Sequence, residues 1–160
     1  MNIEQVIARE AIRYTVSVYN SAVDRNEYNE LSGVFMPNGI IKFGGHASLQ
    51  GHESIVSTML EGAKRRGDFE IGNFQRHVLG NSMINIIDDQ NARAVHYIVV
   101  ATEVGLDHGG VYVDDFVKVG ENWLIKTRNA NLEWINPGSR FAGFSGPHPM
   151  SAHELNIWGS

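Results

Sequence analysis

The feature that most constrains this chain is a change of hydrophobic period near residue 74. Before it, apolar residues recur at helical spacing; after it, long runs of β-branched and aromatic residues are broken by short turns. Helices first and a meander of strands afterwards describe an α+β domain. The expected architecture segregates the helices to one face of a curved antiparallel sheet, and such a sheet wrapped round a helix leaves a conical pocket between them.

The first period predicts an amphipathic helix over residues 3 to 23. Ile3, Ile7, Ala11, Tyr14, Val18, Tyr19 and Ala22 fall on one side, and Arg9, Arg13, Ser17 and Asn20 on the other. A second short helix follows at about 26 to 35, then the turn "MPNG" and a short strand, "IIKFGG". "GHESIVSTMLEGAKRRG" reads as a third helix, with Gly67 as its stop. The strands are "FQRHVLGNSMINIID", "ARAVHYIVVATEV", "VYVDDFVKV" and "WLIKTRNANLEWI", and "GLDHGG" reads as a turn between the second and third. Residues 1–136 form the domain. The Gly-, Pro- and Ser-rich tail 137–160 keeps Phe141, Phe144, Leu155 and Trp158, too many large apolar residues for a disordered segment. It is expected to pack over the pocket or a neighbouring subunit.

Composition narrows the function. A net charge of −5 disfavours nucleic acid, whose affinity rests on clustered Lys and Arg. Without cysteine there is no thiolate nucleophile and no zinc–thiolate site. No HxH or HExxH pattern suggests a metal, and no glycine-rich loop suggests a phosphate. No apolar run approaches the ~20 residues that span a bilayer. The charged N-terminus does not read as a signal peptide, so the expected location is cytoplasmic.

Read residue by residue, the candidate site has two interpretations. "DRNE" places Asp24 as the N-cap of the second helix, with Glu27 completing a capping box. A carboxylate there can also serve a histidine. His77 taken alone is a half-buried strand residue, and only a carboxylate partner would make it a base. Tyr14 and Tyr19 are either core aromatics or phenols that donate into a pocket. Asn129 and Asn131 share one face of the last strand, with Trp134 nearby on the other. They are candidates for orienting a substrate, as is Arg128 for an anionic one. Phe43 is a candidate apolar wall. Asp114 and Asp115 face opposite ways, and His96 faces either core or solvent.

"YTVSVYNSAVDRNEYNELSGVFMPNGII", "GGHASLQGHESIVSTML", "NFQRHVLGNSMINI" and "VYVDDFVKVGENWLIKTRNANLEW" together resemble the SnoaL-like branch of the nuclear-transport-factor-2-like superfamily. Within it, the chain is similar to the scytalone dehydratase, bile-acid 7α-dehydratase and hexachlorocyclohexane dehydrochlorinase group. The resemblance covers roughly residues 5 to 135 and implies a cone-shaped α+β barrel, a curved antiparallel sheet wrapped round N-terminal helices and enclosing a deep pocket, that acts as a cofactor-independent lyase assembled as a homotrimer or homodimer. It implies that Asp24 orients His77, which removes a proton from a small, mostly apolar ring substrate such as a polyketide, steroid, terpenoid or aromatic catabolite. Tyr19 matches the spacing of a tyrosine in the bile-acid enzyme. The second histidine of scytalone dehydratase falls near Thr102, so that role is vacant. An isomerase or cyclase using the same dyad, and a non-catalytic small-molecule-binding protein, are the alternatives. The expected catalytic residues are His77, Asp24 and Tyr19, with Tyr14, Phe43, Asn129, Asn131 and Trp134 around the substrate.

Overall fold

In a computed structural model, which describes residues 2–44, 46, 48–143 and 147–158, helix α1 (Ile3–Asp24) begins at a capping box. Asn2 accepts from the Gln5 amide, and the Gln5 side chain accepts from the Asn2 amide. The helix carries two apolar stripes side by side. Ile12, Val16, Tyr19 and Val23 are buried, at i, i+4, i+7 and i+11. Of the stripe expected to face the core, Tyr19 and Ala22 are buried, while Ile3, Ile7 and Tyr14 are 71, 62 and 70% exposed. Period alone cannot choose between stripes one residue, about 100°, apart. Asn20, expected on the polar side, is buried and accepts from the Tyr112 hydroxyl at 3.4 Å.

"DRNE" is a helix stop rather than a start. The Asn26 amide donates to the Val23 carbonyl and the Glu27 amide to the Ala22 carbonyl, and Asn26 takes the left-handed φ of 59°. That is a Schellman ending, with asparagine in the position glycine usually fills. The next element is a single 3-10 helix (Tyr28–Gly33) with no side-chain cap, shorter than the helix expected at 26 to 35.

Strand β1 (Phe35–Phe43) absorbs "MPNG" as an irregularity between Phe35 and Ile40. Strand β2 (Leu49–Gln50) leads into helix α2 (His52–Arg66), which ends at Gly67 with φ 74°. Strands β3 (Gln75–Ile86), β4 (Asn91–Thr102), β5 (Gly105–Val119) and β6 (Asn122–Ile135) follow. The sheet order is β2-β1-β6-β5-β4-β3, antiparallel throughout except that β1 runs parallel to β6. The sheet curls around α1 without closing, which leaves β3 at one edge.

"GLDHGG" is not a turn: all six residues belong to β5. Its glycines serve close approach instead. A Cβ on Gly109 would stand 2.6 Å from the Trp134 indole nitrogen. The sheet's inner face and α1 bury the main core. Its outer face buries Val95, Val111 and Val113 under Ile157, with Met150 and Leu155 beside it. Phe144 lies outside the described residues.

Candidate active site

The end of α1 docks on the start of β3. The Gln75 side-chain amide donates to the Val23 carbonyl at 2.8 Å, in a buried contact. One residue on, the Asp24 carboxylate meets His77 twice. The imidazole Nδ1 lies 2.6 Å from Asp24 Oδ1, and the His77 main-chain N–H donates to Oδ2 at 3.0 Å. That second bond satisfies an amide on an edge strand, where no neighbouring strand can take it. The Schellman ending makes the arrangement available, because it leaves the Asp24 side chain with no capping duty. With Nδ1 committed to the carboxylate, Nε2 is the nitrogen left for chemistry.

His77 lines a cavity of about 370 Å³ between α1, α2 and the inner face of the sheet. Its walls are largely apolar, from Val23, Phe43, Leu49, Met59, Ile98 and Leu132, with Phe141 of the tail at the rim. Tyr19, Tyr28, Tyr112, Gln75, Thr58 and His46 add polar side chains, Arg65 and Arg66 of α2 add positive charge, and among the described residues no Asp or Glu reaches the lining.

Beneath the cavity lies a buried charge pair. The Arg128 guanidinium donates to both oxygens of Asp114, at 2.9 and 2.7 Å, and both side chains are fully buried. The same guanidinium sits 4.2 Å from the Tyr19 ring centre and 4.0 Å from that of Tyr112. Burial pushes both phenols up, against the pull of Arg128, so each stays protonated and able to donate. His96 joins this layer, fully buried, with Nδ1 2.8 Å from Ser82 Oγ. Burial and the charges of Arg128 and Arg13 depress its pKa to about 3.

A second carboxylate–imidazole pair also reaches the cavity. His108 lines it, and its Nδ1 lies 2.5 Å from Asp107 Oδ1. Neighbours on a regular strand point to opposite faces, so this contact needs an irregularity. The register between β4 and β5 supplies one: Ala101 pairs with Leu106 and Val100 with His108, which leaves Asp107 as the extra residue of a bulge. Asp107 is completely buried and also accepts from Thr102 Oγ1 at 2.8 Å and Ser139 Oγ at 2.7 Å. Burial alone would raise its carboxyl pKa, but the bonds from His108, Ser139 and Thr102 outweigh it and hold it low. Beyond Ser139, Arg140 pairs with Asp68 and Glu103, and Phe141 packs against His108 with ring centres 4.9 Å apart.

Among the residues expected at the site, His77, Tyr19, Phe43 and Asn131 line the cavity, and Asp24 stands directly behind His77. Tyr14 does not, since it lies on the exposed stripe of α1. Asn129 and Trp134 do not line it either. By register the side chains of Asn129 and Asn131 share a sheet face with Val113 and Val111, the face turned away from α1, so Asn131 borders the cavity without turning its amide into it. Arg128, considered for an anionic substrate, is locked to Asp114. His108, Asp107 and Tyr112 also belong to the site, and their one local mark in the sequence is the dipeptide Asp107-His108, set in a glycine-flanked stretch with the composition of a turn. Among the described residues, no group of three or more His, Asp or Glu is placed to hold a metal, and no helix is long and apolar enough to cross a membrane.

A family model described as a SnoaL-like domain matches residues 4–129. No curated protein matches the chain. Among solved structures, a protein from Novosphingobium aromaticivorans provisionally assigned as a scytalone dehydratase superposes with a TM-score of 0.76 at 16% identity, covering 94% of this chain and 97% of that one. A structure named LinA gives 0.69 at 15% identity, covering 91% and 98%. A protein of unknown function from Mycobacterium tuberculosis gives 0.68 at 19% identity, covering 95% and 85%. At these identities the likeness is one of fold.

Proposed function

The chain belongs to the SnoaL-like domain family, and from that premise we propose that it is a cofactor-independent lyase acting on a small, mostly apolar ring ketone. The observation that carries this reading is the Asp24–His77 contact in the wall of a mostly apolar cavity. Asp24 holds the proton on Nδ1 and stabilises the imidazolium that forms. His77 Nε2 takes a proton from the carbon next to the substrate carbonyl, and the electron pair becomes the new double bond as the β-substituent leaves with its own bonding pair. Tyr19 donates its phenol proton as a hydrogen bond to the carbonyl oxygen, where negative charge develops. A dry cavity strengthens both interactions by lowering the local dielectric.

The apolar walls favour a fused or single ring over a chain of charges. The exposed stripe of Ile3, Ile7 and Tyr14 is a surface on which a homotrimer or homodimer would bury area. In this reading Phe141 of the tail closes the cavity rim while Met150, Leu155 and Ile157 cover the outer face of the sheet, and the protein works in the cytoplasm.

The test is a screen of ring β-hydroxyketones, followed by the enone absorbance that elimination creates. The parent protein is expected to form enone and His77→Gln to lose that activity. Enone formation that survives His77→Gln would sink the proposal.

A further inference from the structure

The geometry points to His108 as the general acid of the same reaction, so that the leaving group is a hydroxyl departing as water. This rests on the elimination reading above and names its substrate class more closely. Three observations carry it.

First, His77 and His108 lie in one row across the sheet. His77 pairs with Val100 on β4, and Val100 pairs with His108 on β5. One strand separates the two imidazoles, so their Cα atoms stand about 10 Å apart on the same concave face. That spacing leaves room for a ring between them while both face the same cavity.

Second, each imidazole has its Nδ1 on a carboxylate, Asp24 for one and Asp107 for the other. Each therefore turns Nε2 toward the cavity. Asp107 is itself held by Thr102, Ser139 and the bulge, at the cost of burying a charge.

Third, the two imidazoles are electrostatically linked. Burial lowers the pKa of His108, Asp107 opposes that, and the charges of His77 and Arg66 lower it further. A proton on one ring disfavours a proton on the other, which is how one cavity keeps an acid and a base together. The Asp107 carboxylate is what favours the protonated, proton-donating form of His108 against that depression.

The step balances. His77 Nε2 gains the carbon-bound proton, the carbon–oxygen bond breaks, and the oxygen leaves with its electron pair and the proton from His108 Nε2. Substrate becomes enone and water, and solvent returns the proton balance of the two rings. Hydroxide is a poor leaving group and needs that proton; a phenolate does not.

The experiment compares 3-hydroxyindan-1-one with its 3-(4-nitrophenoxy) counterpart, in the parent protein, His108→Asn and His77→Gln. His108→Asn is expected to lose at least 100-fold on the hydroxyketone and less than about 5-fold on the nitrophenoxy ketone. His77→Gln should lose activity on both. Equal losses for His108→Asn on both probes, or no loss on either, would overturn the role of His108. Retention by His77→Gln would instead strike the base assignment. Should the parent turn over neither probe, NMR titration of His108 still decides: its midpoint must rise in His77→Gln, and an unmoved midpoint means that the rings do not work as a pair.

Discussion

Asp24 and His77 meet through two bonds of different kinds, one to the imidazole Nδ1 at 2.6 Å and one to the main-chain amide at 3.0 Å. The second bond fixes the strand against the end of α1, and the first fixes the ring. Asp24→Asn keeps a carbonyl oxygen for the amide but removes the charge that stabilises an imidazolium. Turnover is expected to fall on the order of 10²- to 10⁴-fold with the fold retained. In a nitrogen-detected NMR spectrum, His77 should lose its single Nδ1–H tautomer. A parent-like tautomer together with parent-like turnover would return Asp24 to a purely structural role.

Tyr19→Phe separates the phenol from the ring that carries it. The ring packs edge-on against Phe35 and Tyr112 and over Arg128, and phenylalanine keeps that packing. The proposed donor is lost. kcat should drop about 10- to 1000-fold with little change in KM, since the lost interaction is strongest when charge develops on the carbonyl. A rise in KM at constant kcat would assign Tyr19 to binding alone.

The buried Arg128–Asp114 pair governs stability rather than turnover. Arg128→Met leaves Asp114 uncompensated in the core and should cost about 3–5 kcal/mol in denaturant unfolding. Replacing both, with Asp114→Leu added, should recover most of that loss, because the penalty lies in the orphaned charge. A double variant no more stable than Arg128→Met alone would mean that the pair also holds the sheet's shape.

His96 sets a pH dependence with a definite sign. Burial first, then the charges of Arg128 and Arg13, lowers its pKa from 6.5 to about 3. The unfolded chain therefore takes up this proton more readily than the folded one. The contribution to stability is full above about pH 6.5 and is lost as pH falls from there toward 3, by about 1.4 kcal/mol per pH unit. Unfolding measured at pH 7, 6 and 5 should show this slope, and His96→Asn should flatten it by that amount. An unchanged slope would place the acid sensitivity in other groups.

The period change at residue 74, the span of α1 and the glycine stop of α2 were legible in the sequence, because each depends on neighbours within a turn or two of chain. So were the strand runs, and the residue types suited to a proton transfer. The choice between two apolar stripes on α1 was not legible, since both satisfy the helical period and only contact with the sheet selects Ile12, Val16, Tyr19 and Val23. "DRNE" satisfied a capping box by composition, and only the path of the chain after Val23 made it a Schellman stop. The pairing of Asp24 with His77 joins residues 53 apart. No local spacing encodes such a pair; the resemblance suggested it, and docking of α1 on β3 brings the two side chains together. Asp107 and His108 pose the opposite case. They are adjacent in sequence, yet a regular strand would part them, and only a one-residue slip in the pairing of β4 with β5 turns both inward. Local periodicity determined the elements and their order. Register, bulges and the docking of one element on another decided which polar side chains share a cavity, because those depend on contacts that form only when distant segments pack.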